Sequence, residues 1–145
     1  MRERAAAAGT VSVGLALALA GCGGRAADLI AVQRSGDIPG ATLTLIITDD
    51  GRAHCNGGPD RMIDSRQLID AREIVRALEG EKDEVGPADR HLRLPPGRGS
   101  ILRYAVRVEA GAVSFADTSP RQPAAFFRLA RLTRAVAKGP CGLPR

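Results

Sequence analysis

From Leu102 onward, apolar and polar residues alternate without a slip. Leu102, Tyr104, Val106 and Val108 fall on one side of an extended chain, and Arg103, Ala105, Arg107 and Glu109 on the other. Successive side chains of a strand point to opposite faces, so this segment reads as a strand with one buried side. Ala110-Gly111 supplies a two-residue turn, and Val113 and Phe115 continue the apolar side on the way back. Such a hairpin belongs to an antiparallel sheet that is wet on one face and must be covered on the other.

Two segments have the period to cover it. Asp64 is followed three residues later by Gln67, the spacing of a helix N-cap and its reciprocal partner. Leu68, Ala71, Val75 and Leu78 then recur at helical spacing with Ile74 beside them, while Arg66, Asp70, Glu73 and Arg76 face away. Gly80 is the expected stop. The second segment opens at Ser119 as cap, with Pro120 at the first helical position and Pro123 still in the first turn. Phe126, Leu129, Ala130 and Thr133 form its apolar side, extended by Leu132 and Val136. Gly139-Pro140 ends it.

Upstream, residues 28–34 read as a first strand and residues 41–48 as a second, with Leu43, Leu45 and Ile47 on one face. Asp49-Asp50-Gly51 has the chemistry of a tight hairpin, because glycine accepts positive φ. Residues 52–56 return as a third strand, ended by Gly57-Gly58-Pro59. Residues 80–100 carry no clear period. A stretch of that length inside a compact domain is either a functional loop or an element hidden from periodicity. The order is β-β-β-α-β-β-α. One antiparallel sheet with both helices packed on one face would bury every apolar stripe together, which makes the fold class α+β. Aromatic residues are only 3% and Trp is absent, so Leu, Ile, Val and Ala must build the core.

The first 22 residues have a different character. Arg2 and Arg4 precede an apolar or small-residue run over 5–19, and Leu19-Ala20-Gly21-Cys22 closes it. A positive start, an apolar centre and small residues before a cut are the features of a secretory signal segment. The run is shorter than the roughly 20 residues a spanning helix needs. Cys22 offers an acylable thiol at the cut. The expected organisation is a lipoprotein signal peptide over 1–21, a lipidated tether over 22–27 and a single α+β domain over 28–145. Two acyl chains on Cys22 would anchor the domain to a lipid bilayer, where one chain is marginal.

That address decides how the other cysteines read. Disulfides persist in extracytoplasmic compartments. With Cys22 lipidated, Cys55 and Cys141 remain, an even number that suggests one disulfide. The alternative is metal binding by His54, Cys55 and Cys141, which no CxxC or HxxxH spacing supports. No metal site and no cofactor are expected.

Signals for catalysis are weak. His54 and His91 are the only histidines, and no serine sits in a nucleophile elbow. Asp49 and Asp50 stand at a hairpin tip without the further oxygen donors a calcium loop needs. Gly97 and Gly99 have no helix after them, so they form no phosphate cradle. Tyr104 alternates with core residues and reads as packing. The formal charge of +5 comes from interleaved acidic and basic residues, not from a basic stripe with aromatics, so no nucleic-acid partner is expected.

Several short motifs carry a resemblance. Gln33-Arg34-Ser35-Gly36, the strand over 43–48, Asp50-Gly51, Cys55-Asn56-Gly57-Gly58, Leu94-Pro95-Pro96-Gly97, Leu102-Arg103-Tyr104 and the terminal Cys141 resemble a group of small actinobacterial lipoproteins to which no activity is assigned. A looser resemblance is to the emfourin type of metallopeptidase inhibitor. It rests on Arg34-Ser35-Gly36 after a first strand, a central helix, an x-Tyr-x-Val strand and a terminal helix. The chain departs from that type by its lipid anchor, its two further cysteines and its loop before Tyr104, and no inhibitory residue carries over. Taken together, these features lead to the expectation of a membrane-anchored, non-enzymatic module that binds an extracytoplasmic protein, with peptidase inhibition as one form. The alternatives are a small extracytoplasmic hydrolase or a structural envelope lipoprotein. The segment 80–100 is the expected recognition element, because loops leave side chains free to engage a partner.

Overall fold

The computed structural model describes residues 26–144. The signal peptide over 1–21, the lipidation of Cys22 and all but the last residues of the tether lie outside the described residues. Eight elements follow in the order β1 (Asp28–Gly36), β2 (Leu43–Thr48), β3 (Arg52–Cys55), β4 (Arg61–Met62), α1 (Ser65–Glu79), β5 (Leu102–Val108), β6 (Gly111–Ala116) and α2 (Ala124–Lys138). The strands form one six-stranded sheet in the order β4-β3-β2-β1-β5-β6, antiparallel throughout. The α+β class and the antiparallel sheet stand as expected, with the two-residue β4 added at the edge.

Register explains the burial. Val32 lies opposite Leu45 on β2 and Val106 on β5, and Val106 lies opposite Val113 on β6. All four are buried, so one row of apolar side chains crosses four strands. Ile30, Leu43, Ile47, Ala53 and Phe115 join this face, and it packs under the helices. From α1 it receives Ala71, Ile74, Val75 and Leu78, and from α2 Phe126, Leu129, Leu132 and Val136. Tyr104, Phe115 and Phe126 stack in a column, with ring centroids 4.9 and 4.4 Å apart, which fixes α2 to the last hairpin. Stacked aromatic pairs add about 1 kcal/mol each beyond their burial. On the outer side of the helices, Arg128 donates to Glu73 at 2.6 Å and joins α2 to α1.

Helix α1 starts and stops where the sequence places it. The Asp64 carboxylate accepts from the Gln67 N–H at 2.8 Å, and the Gln67 side chain accepts from the Asp64 N–H at 3.1 Å. Gly80 ends the helix at φ 93°, a conformation that favours glycine. Helix α2 corrects the sequence reading. It begins at Ala124 with Pro123 as N-cap, not at Ser119. Arg121 adopts φ 54°, in the left-handed region, so no helix can run through it. Ser119 is buried instead, and its Oγ accepts from the Ala116 N–H at 2.8 Å, closing the turn after β6.

The stretch 80–100 proves to be half element. The Ala88 N–H donates to Leu78 at 2.8 Å and its side chain is fully buried. Gly86 lies against the backbone of Leu78 and Glu79, where any Cβ would collide. Arg93 then forms a parallel bridge with Ser114 along the free side of β6. Leu92 and Leu94 pack against the core. An exposed sheet edge invites pairing with other chains, and this segment covers it. At the far end of the chain, Cys55 and Cys141 form a disulfide with their Cα atoms 6.2 Å apart. It joins the end of β3 to the turn after α2 and closes a separation of 86 residues. By the chain-entropy argument this contributes about 4 kcal/mol.

Candidate functional site

The helices cover one face of the sheet. The other face is open, and the same register that builds the core dictates what it displays. Ile46, Ala31, Arg107 and Ala112 form one row across β2, β1, β5 and β6. Thr44, Gln33, Ala105 and Ser114 form the next, with Arg93 beside Ser114 at the edge. Ser35 and Arg103 lie in the third row.

Around Gln33 the middle of this face carries mostly short side chains, Ala31, Thr44, Ala105, Ala112 and Ser114, and it sinks below its surroundings. Two depressions of about 440 and 420 Å³ lie there. Both are bordered by Gln33, Thr44, Ala105 and Ser114, so they are two ends of one trough. His91 and Arg93 stand at one end, Leu94 and Pro96 at the other. The segment expected as a free recognition loop is therefore a wall of the trough, tied to β6 by its backbone.

The electrostatics of the trough are one-sided. Arg93 and Arg107 line the larger depression and Arg103 the smaller, and no carboxylate lines either. Arg34 borders the smaller depression only from the strand that carries it, because the register places its side chain on the helix-covered face beside Leu43 and Tyr104. It is buried, and its guanidinium donates to the carbonyls of Ala41 at 2.8 Å and Gly40 at 3.1 Å. Arg103 lies 3.7 Å from Asp37, with both side chains more than half exposed. Beside Arg34 on the same face lies Tyr104, its directly opposite neighbour in the register. Burial pushes the Tyr104 phenol above its ordinary pKa, against the opposing pull of the Arg34 and Arg134 charges.

A second polar group occupies the β2–β3 hairpin. His54 Nδ1 lies 3.1 Å from Asp60. Arg52 bridges Asp60 at 3.5 Å and Asp50 at 3.1 Å. The Thr48 hydroxyl donates to Asp50 at 2.5 Å and, against an opposing effect of desolvation and helped by the Arg52 charge, holds the Asp50 carboxyl below its usual range. Asp49 accepts from Arg72 at 2.9 Å and so ties the hairpin tip to α1. These aspartates thus serve turn geometry and docking. Four strands stand between β3, which carries His54, and the segment that carries His91, so the two histidines do not share a site. The alternative to the disulfide, a metal set of His54, Cys55 and Cys141, is ruled out by the bond itself, which consumes both thiolates. Among the described residues, no group of three or more His, Cys, Asp or Glu side chains is placed to hold a metal ion, and no helix is long and apolar enough to cross a membrane.

Sequence reading placed Arg103, Ala105 and Arg107 on the wet side of β5, but not the trough. Its signal was there: the outward positions 31, 105, 112 and 114 are Ala or Ser, where a plain solvated face would carry long polar side chains. The fold and this site define a small disulfide-bonded α+β domain with a helix-covered face and an open, arginine-flanked one. Compared with protein-family models, with curated proteins and with solved structures, the chain matches none.

Proposed function

We propose that the protein is a non-enzymatic binding module, held at the outer face of a cell membrane through acylated Cys22, and that it takes up an extracytoplasmic protein on the open face of its sheet. The observation that carries this reading is the trough. It is concave, mixed in polarity, and set on a rigid sheet whose opposite face is fully engaged by the helices. Sites of this kind are commonly concave, with a few placed polar groups. Peptidase inhibition is one form such binding takes, suggested by the loose emfourin resemblance alone.

Two measurements test it. Ala105→Glu fills the trough floor from an exposed position and sets a negative charge between Arg103 and Arg107. A partner captured by the parent full-length protein at the membrane should be lost by this variant, while thermal unfolding stays unchanged. Equal capture removes the open face from the reading. For the anchor, Cys22→Ala should abolish partition into detergent. A diacyl mass on that variant refutes the lipid attachment.

A second reading has one observation behind it. The His54–Asp60 pair is the base-and-orienter half of a hydrolytic relay. If the protein is a small hydrolase, turnover of ester or peptide substrates by the purified protein should vanish in His54→Gln.

A further inference from the structure

We propose that the trough is shaped for an extended acidic segment of the partner, with two carboxylates four residues apart that meet Arg103 and Arg107. This rests on the open-face reading above and specifies its ligand. Arg103 and Arg107 leave β5 on the same face, with Ala105 between them. Four residues of strand span about 13 Å. An extended peptide lying along β5 has the same rise, so its positions i and i+4 fall at the same separation and on the same side. Ala105 between the arginines leaves room for the small side chain at i+2.

What sets this face apart is that its arginines line a depression that no carboxylate lines. Arg93 and Arg107 have no carboxylate within ion-pair distance among the described residues, whereas Arg52, Arg72 and Arg128 are all paired. The Arg103–Asp37 contact is long and exposed, so it is weak and open to exchange. Arg93 and Arg107 at one end of the trough and Arg103 at the other, with no acidic lining between, give it a positive potential, and guanidinium groups bind carboxylates in a two-pronged geometry.

The floor decides between a peptide and an acyl chain. Gln33, Thr44 and Ser114 line both depressions. An acyl chain would strip water from these amide and hydroxyl groups without replacing its hydrogen bonds, at a cost. A peptide backbone brings its own N–H and C=O groups to satisfy them.

The test is amide chemical-shift titration of the full-length protein with three probes: acetyl-Glu-Ala-Ser-Ala-Glu-amide, the same peptide with both Glu replaced by Gln, and oleate. Expected is saturable perturbation of the Ala105 and Ser114 amides by the Glu peptide. Its affinity should exceed that of the Gln peptide by about tenfold or more, a difference of ~1.4 kcal/mol, and the preference should fade in high salt. Arg103→Ser combined with Arg107→Ser should erase the preference, while Arg131→Ser, an exposed arginine on α2, should leave it. Equal affinity for the Glu and Gln peptides overturns the acidic assignment and leaves the trough as a binding face. A preference that survives the double substitution also overturns it. Perturbation of the trough by oleate alone assigns the site to an acyl chain and overturns it. Silence of the trough amides to all three probes overturns both this inference and the open-face reading.

Discussion

The backbone N–H of Leu94 donates to the carbonyl of Ser114 at 2.8 Å, and the N–H of Ser114 donates back to Leu92 at 3.0 Å. This reciprocal pair forms the isolated parallel bridge that lays the segment after α1 along the free edge of β6. It also sets the position of Arg93, Leu94 and Pro96 along the trough.

A connection with no role in folding would tolerate replacement by Gly-Ser, since loop closure varies slowly with length. Here the replacement of residues 87–97 removes buried Ala88 and the packing of Leu92 and Leu94. We expect a loss of several kcal/mol by urea unfolding, with Leu94→Ala alone costing about 1–2 kcal/mol because the side chain is only partly buried. An unchanged urea midpoint for the replaced segment would contradict the edge role.

Tyr104 is the sole tyrosine and Trp is absent, so alkaline absorbance reports on it alone. Burial holds its phenol neutral above the usual pKa of 10.0. The folded value is raised, so the stabilising contribution is fully present below pH 10 and is lost as pH climbs through the folded pKa. Spectrophotometric titration should give a midpoint above that of the urea-unfolded chain. Coincident midpoints in the two states would disprove the burial effect.

Thr133 lies in the core face of α2, and its hydroxyl is buried without a hydrogen-bond partner among the described residues. Thr133→Val keeps the shape and removes the unsatisfied group. The expected gain is ~1 kcal/mol, read as a rise in thermal midpoint. A drop in that midpoint would mean that the hydroxyl is hydrogen-bonded in solution.

The disulfide joins Cys55 to Cys141 across the sheet–helix interface. The intact mass of the protein purified without reductant should lie two hydrogens below the reduced value. Cys141→Ser should lower stability by about 4 kcal/mol. Two titratable thiols at those positions in the recovered protein would refute the bond.

Much of the fold was legible in the linear chain because local chemistry and tertiary packing agree there. Asp64 and Gln67 cap α1, Gly51 turns the β2–β3 hairpin at φ 83°, and the alternation over 102–115 becomes β5 and β6 with the expected faces. Cysteine parity led to the Cys55–Cys141 bond. Where the sequence misled, a long-range contact overrode a local signal. Ser119 and Pro120 form a good helix start, but the Ala116 N–H engages Ser119 and Arg121 turns left-handed, so the helix waits for Pro123.

Periodicity and caps, which act within a few residues, determined by themselves the elements, the buried faces and the class of fold. Tertiary structure alone decided that the 80–100 stretch would cover β6, that His54 and His91 would stand apart, and that Arg93, Arg103 and Arg107 would line one trough. Strand order and register set those relations. They are fixed by which edges pair and which side chains pack together, distances of tens of residues along the chain that no local pattern encodes.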